Sequence, residues 1–454
     1  MRLTILGGGG FRVPLVYGAL LGDRADGRVT GVTLYDTDPG RLAVMARVLA
    51  DQADGVPAAP AVTATTDLDE ALRGADFVFS AIRVGGLDGR ATDERVALAE
   101  GVLGQETVGA GGIAYGLRTV PAAREIARRI ARLAPDAWVI NFTNPAGLVT
   151  EAMRESLGDR VIGICDSPVG LGRRIARVLG AARPQEAWID YVGLNHLGWV
   201  RGLRIGGRDE LPRLLADPVA LESFEEGRLF GAEWLRSLGA IPNEYLHYYY
   251  FNRETVAAYR QAERTRGAFL RDQQRAFYAG PDGTGPAAGA ALAAWDRTRA
   301  EREATYMAEN REAAGAGERE ETDLESGGYE QVALALMRAI ARDERATLIL
   351  NVANGSTLSV LDPDAVIEVP CLVDANGAHP VAVDPLPYHA VGLVTAVKAV
   401  EREVLAAAAA PSRTAARAAA TKAFALHPLV DSVAVARRLL DGYARHHPGL
   451  AYLR

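Results

Sequence analysis

The chain has 454 residues, 49% of them hydrophobic, and only two cysteines, Cys165 and Cys371; this is apolar material for a sizeable core in two domains and too little cysteine for a disulfide framework, which points to a reducing, cytoplasmic setting. With 57 acidic against 50 basic side chains the formal charge is -7, so no basic face is expected for a nucleic acid. No run reaches the roughly eighteen apolar residues of a membrane helix, and the opening residues, broken by Gly7 to Gly10, Arg12 and Pro14, lack the order of a signal peptide.

Leu3-Thr4-Ile5-Leu6 reads as a short buried strand, Gly7 to Gly10 as a turn, and Pro14 to Leu21 as a helix with its proline in the first turn, where the missing N–H is harmless. Val29 to Tyr35 is the next strand and ends in Asp36; Leu42, Met45 and Leu49 then mark one face of a helix. Thr66 opens a short helix of capping-box type with Asp69, closed near Gly74, ahead of the strand Phe77 to Ile82. Ile126, Ile130 and Leu133 share a face of a longer helix that stops at Pro135. Trp138-Val139-Ile140 runs into Asn141-Phe142-Thr143-Asn144-Pro145, and Val161 to Ile164 delivers Cys165. This spacing predicts an α/β fold: a Rossmann-like, doubly wound parallel sheet over residues 1–195.

From about residue 196 the alternation dissolves into a mixed α+β, mostly helical second domain, 196–454. Glu222 to Tyr278 is helical in pattern and carries an aromatic cluster, Tyr245, Tyr248, Tyr249, Tyr250 and Phe251. The Gly-, Ala-, Glu- and Arg-rich stretch from Gly280 to Gly328 predicts an exposed loop and a charged helix. Strands return at Thr347 to Leu350 and Ala365 to Val369, and the Ala-rich run from Leu405 to Ala420 predicts one well-packed helix at a subunit contact.

Gly7-Gly8-Gly9-Gly10 follows a strand and precedes a helix, so backbone N–H groups there can approach a pyrophosphate without Cβ obstruction. Asp36, at the end of the second strand, can accept both ribose hydroxyls of NAD and would repel the extra phosphate of NADP. A cysteine at a strand end is ordinarily a small buried hydrophobe, and a lone histidine is ordinarily a satisfied core or surface residue. Cys165 and His196, however, both follow predicted strands, at the edge where open parallel sheets collect ligands. One thiolate and one imidazole are too few for a closed structural zinc site and leave coordination positions for substrate oxygens.

The segments Ile5-Leu6-Gly7-Gly8-Gly9, Ile82-Arg83-Val84-Gly85-Gly86-Leu87, Gly104-Gln105-Glu106-Thr107, Asn141 to Pro145, Gly163-Ile164-Cys165-Asp166, Gly193-Leu194-Asn195-His196, Pro242-Asn243-Glu244-Tyr245-Leu246 and Glu368-Val369-Pro370 occur in the order seen in glycoside hydrolase family 4. Through them the chain resembles the NAD- and divalent-metal-dependent glycosidases of that family over nearly its whole length, a family outside the two-carboxylate scheme of most glycosidases. The resemblance implies oxidation of the sugar's C3 hydroxyl by NAD, removal of the C2 proton, elimination of the C1 substituent, addition of water and re-reduction. It makes Cys165 and His196 ligands of a divalent metal, manganese first, and Tyr245 the base, with Tyr249 as local runner-up. Asp166 becomes the acid for the departing oxygen, and Arg83 and Arg266 the residues for a 6-phosphate, with Arg264 the neighbouring alternative. Asn144 and Asn195 would bind sugar hydroxyls, Asn144 also lying near the cofactor, and Glu106 would sit near the nicotinamide or substrate.

Asp at position 166 is more usual in the α-acting branch, whereas Gly327-Gly328-Tyr329 and Ala425 to Val430 resemble the 6-phospho-β-glucosidase branch. The expectation is therefore a 6-phospho-β-glucosidase acting on phosphorylated disaccharides such as cellobiose 6-phosphate, as a homodimer or homotetramer. A 6-phospho-α-glucosidase or α-galactosidase of the same family is the alternative. Gly10 and Val13 replace hydroxyl residues common in the family's first turn. An NAD dehydrogenase of the lactate and malate type would share the fold but has no use for a thiolate beside His196. A non-catalytic dinucleotide sensor would be free to lose Cys165, His196 or Tyr245, and all three are present.

Overall fold

The computed structural model describes residues 1–280, 282–317, 319 and 328–454. Six strands, β1 (Arg2–Leu6), β2 (Gly31–Tyr35), β3 (Ala61–Thr65), β4 (Phe77–Ser80), β5 (Trp138–Asn141) and β6 (Val161–Gly163), pair in parallel in the order β6-β5-β4-β1-β2-β3. This is the doubly wound arrangement, in which the chain reverses direction across the sheet between β1 and β4 and opens a crevice at their carboxyl ends. The glycine turn, Arg83, Asn144 and Cys165 all follow strands at that edge. β4 is buried along its whole length, as a strand covered by helices on both faces must be.

The sheet continues beyond β6 through antiparallel strands. β7 (Trp188–Leu194) and β8 (Leu197–Ile205) form a hairpin, β9 (Arg208–Asp209) and β10 (Ile241–Pro242) pair with β8, and β11 (Ala346–Ala353), β12 (Val366–Asp374) and β13 (Gly377–Pro380) fill the remainder. β11 joins the parallel half through Asn351 opposite Gly163, and β12 meets β7 at Glu368 opposite Gly193. These two junctions carry Asn351 and Glu368 to the edge where Cys165 and His196 emerge.

Three expectations are corrected. The short helix is Leu68–Leu72, capped not by Thr66 but by Asp67, whose carboxylate accepts the N–H groups of Asp69 and Glu70; a charged acceptor suits the positive end of a helix. The Ala-rich run is two helices, Tyr388–Ala409 and Arg413–Leu426, because Pro411 cannot continue the first and the Ser412 hydroxyl caps the second. The charged helix expected after Gly280 is present, but it is not part of an exposed stretch. The helix Ala291–Ala304 docks on the amino-terminal part of the chain: the Asp51 carboxylate accepts N–H groups of Gly289, Ala291 and Leu292, and the buried Trp295 indole donates to the Phe11 carbonyl at 2.7 Å. Gly327, one of the matched residues, lies outside the described residues.

Two buried histidines shape the acid response. His247 Nδ1 accepts from Asn310 Nδ2 at 3.0 Å and His427 Nδ1 accepts from the Leu429 N–H at 3.1 Å, so both rings are neutral. Burial pushes each down to about 4. Their stabilisation is complete above the unfolded value near 6.5 and is lost as the pH falls toward about 4, up to about 3 kcal/mol for each. Thermal unfolding between pH 7.5 and 4.5 should therefore fall steeply, and less steeply in the His247→Gln, His427→Gln double variant.

Candidate active site

The glycine amides are not the free donors of the first turn. Gly7 and Gly8 N–H both bond the Tyr35 carbonyl at 2.9 and 2.7 Å, Gly10 N–H bonds the Gly7 carbonyl at 2.8 Å, and Gly9 N–H bonds the Asp36 carboxylate at 3.0 Å. The glycines serve packing: Gly7 has φ +82°, and a Cβ on Gly8 would lie 2.7 Å from Leu34 Cβ. Among the described residues, the amides of Phe11 and Arg12, ahead of the helix Val13–Leu21, carry no hydrogen bond. They are the unspent donors at a helix N-terminus that a pyrophosphate requires. The second half of the chain clasps this turn, Tyr278 donating to the Gly9 carbonyl at 2.7 Å and Tyr329 to that of Arg12 at 2.8 Å.

His196 sits in the two-residue tip between β7 and β8 with φ +61°, a conformation costly for a residue with a Cβ. Its ring stacks on Tyr245, centroids 3.6 Å apart and planes within 3°. Burial, only partly offset by Glu106, pushes it down to about 3, so the imidazole is neutral. The tautomer follows from a relay. Gln105 Oε1 accepts the Thr107 N–H at 2.6 Å and the Thr107 hydroxyl at 3.1 Å, so that hydroxyl, 2.8 Å from His196 Nδ1, accepts the Nδ1 proton. Nε2 is left with a lone pair.

Cys165 is buried at the end of β6; burial, Glu368 and Asp166 push its thiol up. A neutral imidazole with Nε2 open and a thiol among carboxylates fit a divalent cation, which would hold the thiolate form that the surroundings otherwise oppose. No group of three or more His, Cys, Asp and Glu donors exists among the described residues, which suits an open site rather than a closed one. Thr107→Val should weaken manganese binding about 10–100-fold, read by titrating free ion, and Thr107→Ser should restore most of it.

Tyr245 receives a hydrogen bond from the Tyr306 hydroxyl at 3.0 Å. Burial and Glu244 push its phenol well above the ordinary range, while the Tyr306 bond pulls the other way by stabilising a phenolate. Tyr306 was not legible in the sequence, where it falls in the stretch read as an exposed loop and a charged helix. Tyr249 turns instead toward His427, ring centres 6.0 Å apart, and lines a cavity of about 50 Å³ with Glu401 behind His196.

Asp166 precedes the helix Ser167–Val178 and its carboxylate caps nothing there. Glu368 is fully buried and accepts from Tyr191 at 3.2 Å, Asn195 at 3.2 Å and Asn351 at 2.9 Å. Burial holds it up at about 7 despite those bonds. Asn195 is thereby fixed, its Oδ1 accepting the Ala146 N–H at 3.3 Å. Glu244 Oε1 accepts from Ser167 at 2.7 Å, while its Oε2, Asn144 Oδ1 and Asn243 Nδ2 are buried without partners. Glu368 and Glu244 were visible only as letters inside matched segments, because their partners come from other elements of the fold.

Glu106 is gripped by Arg83 and by Arg90, the latter at 2.5 Å, which overcomes burial and keeps it ionised. Arg266 is buried and spends its two terminal nitrogens on the Thr305 hydroxyl at 2.6 Å and the Arg302 carbonyl at 2.7 Å. Arg264 is exposed over Phe269. The structure thus gathers His196 and Tyr245 directly, sets Cys165, Asp166 and Asn195 around Glu368, and ties Arg83 to Glu106.

Residues 2–181 match the model described as family 4 glycosyl hydrolase, and residues 191–430 match that of the family 4 glycosyl hydrolase C-terminal domain. A probable 6-phospho-β-glucosidase of Bacillus subtilis (strain 168) is 30% identical over 100% of this chain and 97% of its own. A 6-phospho-α-glucosidase of Leptotrichia buccalis is also 30% identical, over 88% of each. The 6-phospho-β-glucosidase of Thermotoga maritima, solved with manganese, NAD⁺ and glucose-6-phosphate, superposes with a TM-score of 0.79 at 26% identity over 98% of both chains. Matched by both family models across most of its length and by relatives over the whole of it, the chain belongs to family 4 of the glycosyl hydrolases.

Proposed function

We propose that this protein hydrolyses 6-phospho-β-glucosides, cellobiose 6-phosphate among them, with NAD and a divalent metal, manganese first, as cofactors. The observation that carries the reading is the parallel stack of Tyr245 on a neutral His196 whose Nε2 is open, at the strand edge that also delivers Cys165. When bound, NAD supplies reversible hydride acceptance at C3, and the metal supplies Lewis acidity at the C2 and C3 oxygens. Cys165 and His196 would hold the metal. The amides of Phe11 and Arg12 and the Asp36 carboxylate would hold the dinucleotide.

Tyr245 takes the C2 proton, its oxygen prepared by the Tyr306 hydrogen bond. Asp166 gives a proton to the leaving glycosidic oxygen. Asn195, locked by Glu368, and Asn144, with a buried oxygen to spare, orient sugar hydroxyls. Glu106 keeps Arg83 in place at the phosphate end, with Arg266 close by. The segments Gly327-Gly328-Tyr329 and Ala425 to Val430, with their likeness to the β-acting branch, support the β assignment.

The test is incubation with nitrophenyl 6-phospho-β-glucoside and its α-anomer in deuterated water, with and without NAD and manganese. Nitrophenol release from the β-anomer only when both are present, no net NADH, and deuterium at C2 of the product are expected. Faster release from the α-anomer reverses the anomeric assignment. Full activity after stripping NAD and metal would sink the reading, and net NADH would make the protein a dehydrogenase.

A further inference from the structure

Two guanidinium groups beside the glycine turn make no hydrogen bond and no ion pair among the described residues. Arg12 Cζ stands 5.4 Å from the centre of the Phe142 ring and 5.2 Å from that of Tyr329, and Arg302 Cζ stands 5.9 Å from that of Phe11. Around Arg302 the surroundings are crowded with like charge, whereas Arg12 has Tyr329, Asp166, Glu106 and Tyr245 for neighbours. Burial together with Arg12, Arg266 and Arg83 pushes Arg302 down to about 9, and the carboxylate that opposes them, Glu106, is already shared by Arg83 and Arg90. A desolvated guanidinium placed as Arg302 is stays costly until an anion approaches it.

Arg266 already gives two of its five N–H donors to the Thr305 hydroxyl and to the backbone of Arg302 itself. It fastens the end of the helix Ala291–Ala304 that carries the free guanidinium. Although burial opposes it, Tyr329, Asp166, Glu106 and Tyr245 hold the Arg12 guanidinium up, which puts that side chain with the proposed sugar-handling residues, while its amide stays unbonded at the helix N-terminus. From this juxtaposition we propose that Arg302 and Arg12 form the subsite for an anionic substituent at C6 of the sugar; identifying it as a phosphate rests on the function proposed above. A guanidinium fork matches both the phosphate and the carboxylate geometry.

Calorimetric titration of the wild type, Arg302→Gln and Arg12→Gln with glucose 6-phosphate, glucuronate, glucose and NAD decides it, with thermal unfolding as the check on folding. Each variant should bind glucose 6-phosphate about 10–100-fold more weakly and NAD within twofold of wild type. Unchanged glucose 6-phosphate affinity in either folded variant overturns the subsite and leaves the phosphoglucosidase reading intact. Selective loss of NAD overturns it in favour of a pyrophosphate contact. Wild-type preference for glucuronate, lost in the variants, keeps the subsite and sinks the phosphate; binding of neither sugar anion by the wild type sinks both. Should one variant fail to fold, the other carries the same outcomes.

Discussion

Tyr245→Phe should lower kcat on nitrophenyl 6-phospho-β-glucoside by about 10²–10⁴-fold, the range for loss of a positioned base, and should abolish deuterium uptake at C2. The phenylalanine keeps the stack on His196, 3.6 Å between centroids, so the burial of that ring and the affinity for NAD should change little. The effect is expected in kcat rather than KM, because the lost hydroxyl acts on a proton that moves only during reaction. Tyr306→Phe removes only the hydrogen bond to the base and should cost far less, with deuterium uptake slowed but retained. If Tyr245→Phe keeps wild-type exchange at C2, the base lies elsewhere.

Cys165→Ser and His196→Ala should each weaken manganese binding by more than about 10²-fold, beyond the 10–100-fold typical of an outer partner such as Thr107. A serine hydroxyl does not ionise beside Glu368 and Asp166, and an alanine removes the Nε2 lone pair that the Thr107 relay exposes. Free-ion titration measures the loss. Activity should return partly in excess manganese, while NAD affinity, for which the Phe11 and Arg12 amides are the proposed donors, stays within about twofold. Removal of metal from the wild type by a chelator should silence it reversibly. Undiminished metal binding in Cys165→Ser would remove the thiol from the ligand set.

Much of the architecture was legible because it is local. The glycine turn between a strand and a helix, the apolar faces of the early helices, and the delivery of Cys165 by a short apolar strand all depend on neighbours a few residues apart. Thr66 and the Ala-rich run were misread for equally local reasons: a better acceptor stood one residue later, and Pro411 interrupted a composition that otherwise favours one helix. The stretch after Gly280 misled because its anchors are remote; Trp295 bonds Phe11 across 284 residues of sequence, and Asp51 caps a helix about as far away.

By itself the sequence determined the doubly wound sheet, the chemical kinds of group at its carboxyl edge, and the family, since strand periodicity and short motifs are written in consecutive residues. Only the tertiary structure decided which states those groups occupy. The tautomer of His196 depends on Thr107, 89 residues away, the setting of Tyr245 on Tyr306, 61 residues away, and the place of Asn195 on Glu368, 173 residues away. The same holds for the arginines, whose letters are alike but whose settings differ: Arg83 is paired with Glu106 and Arg266 fastens the helix end, while among the described residues the Arg302 and Arg12 guanidinium groups make no hydrogen bond or ion pair. Hydrogen-bond and charge pairing are satisfied by whatever the fold brings into reach, and no local pattern records which partner that is.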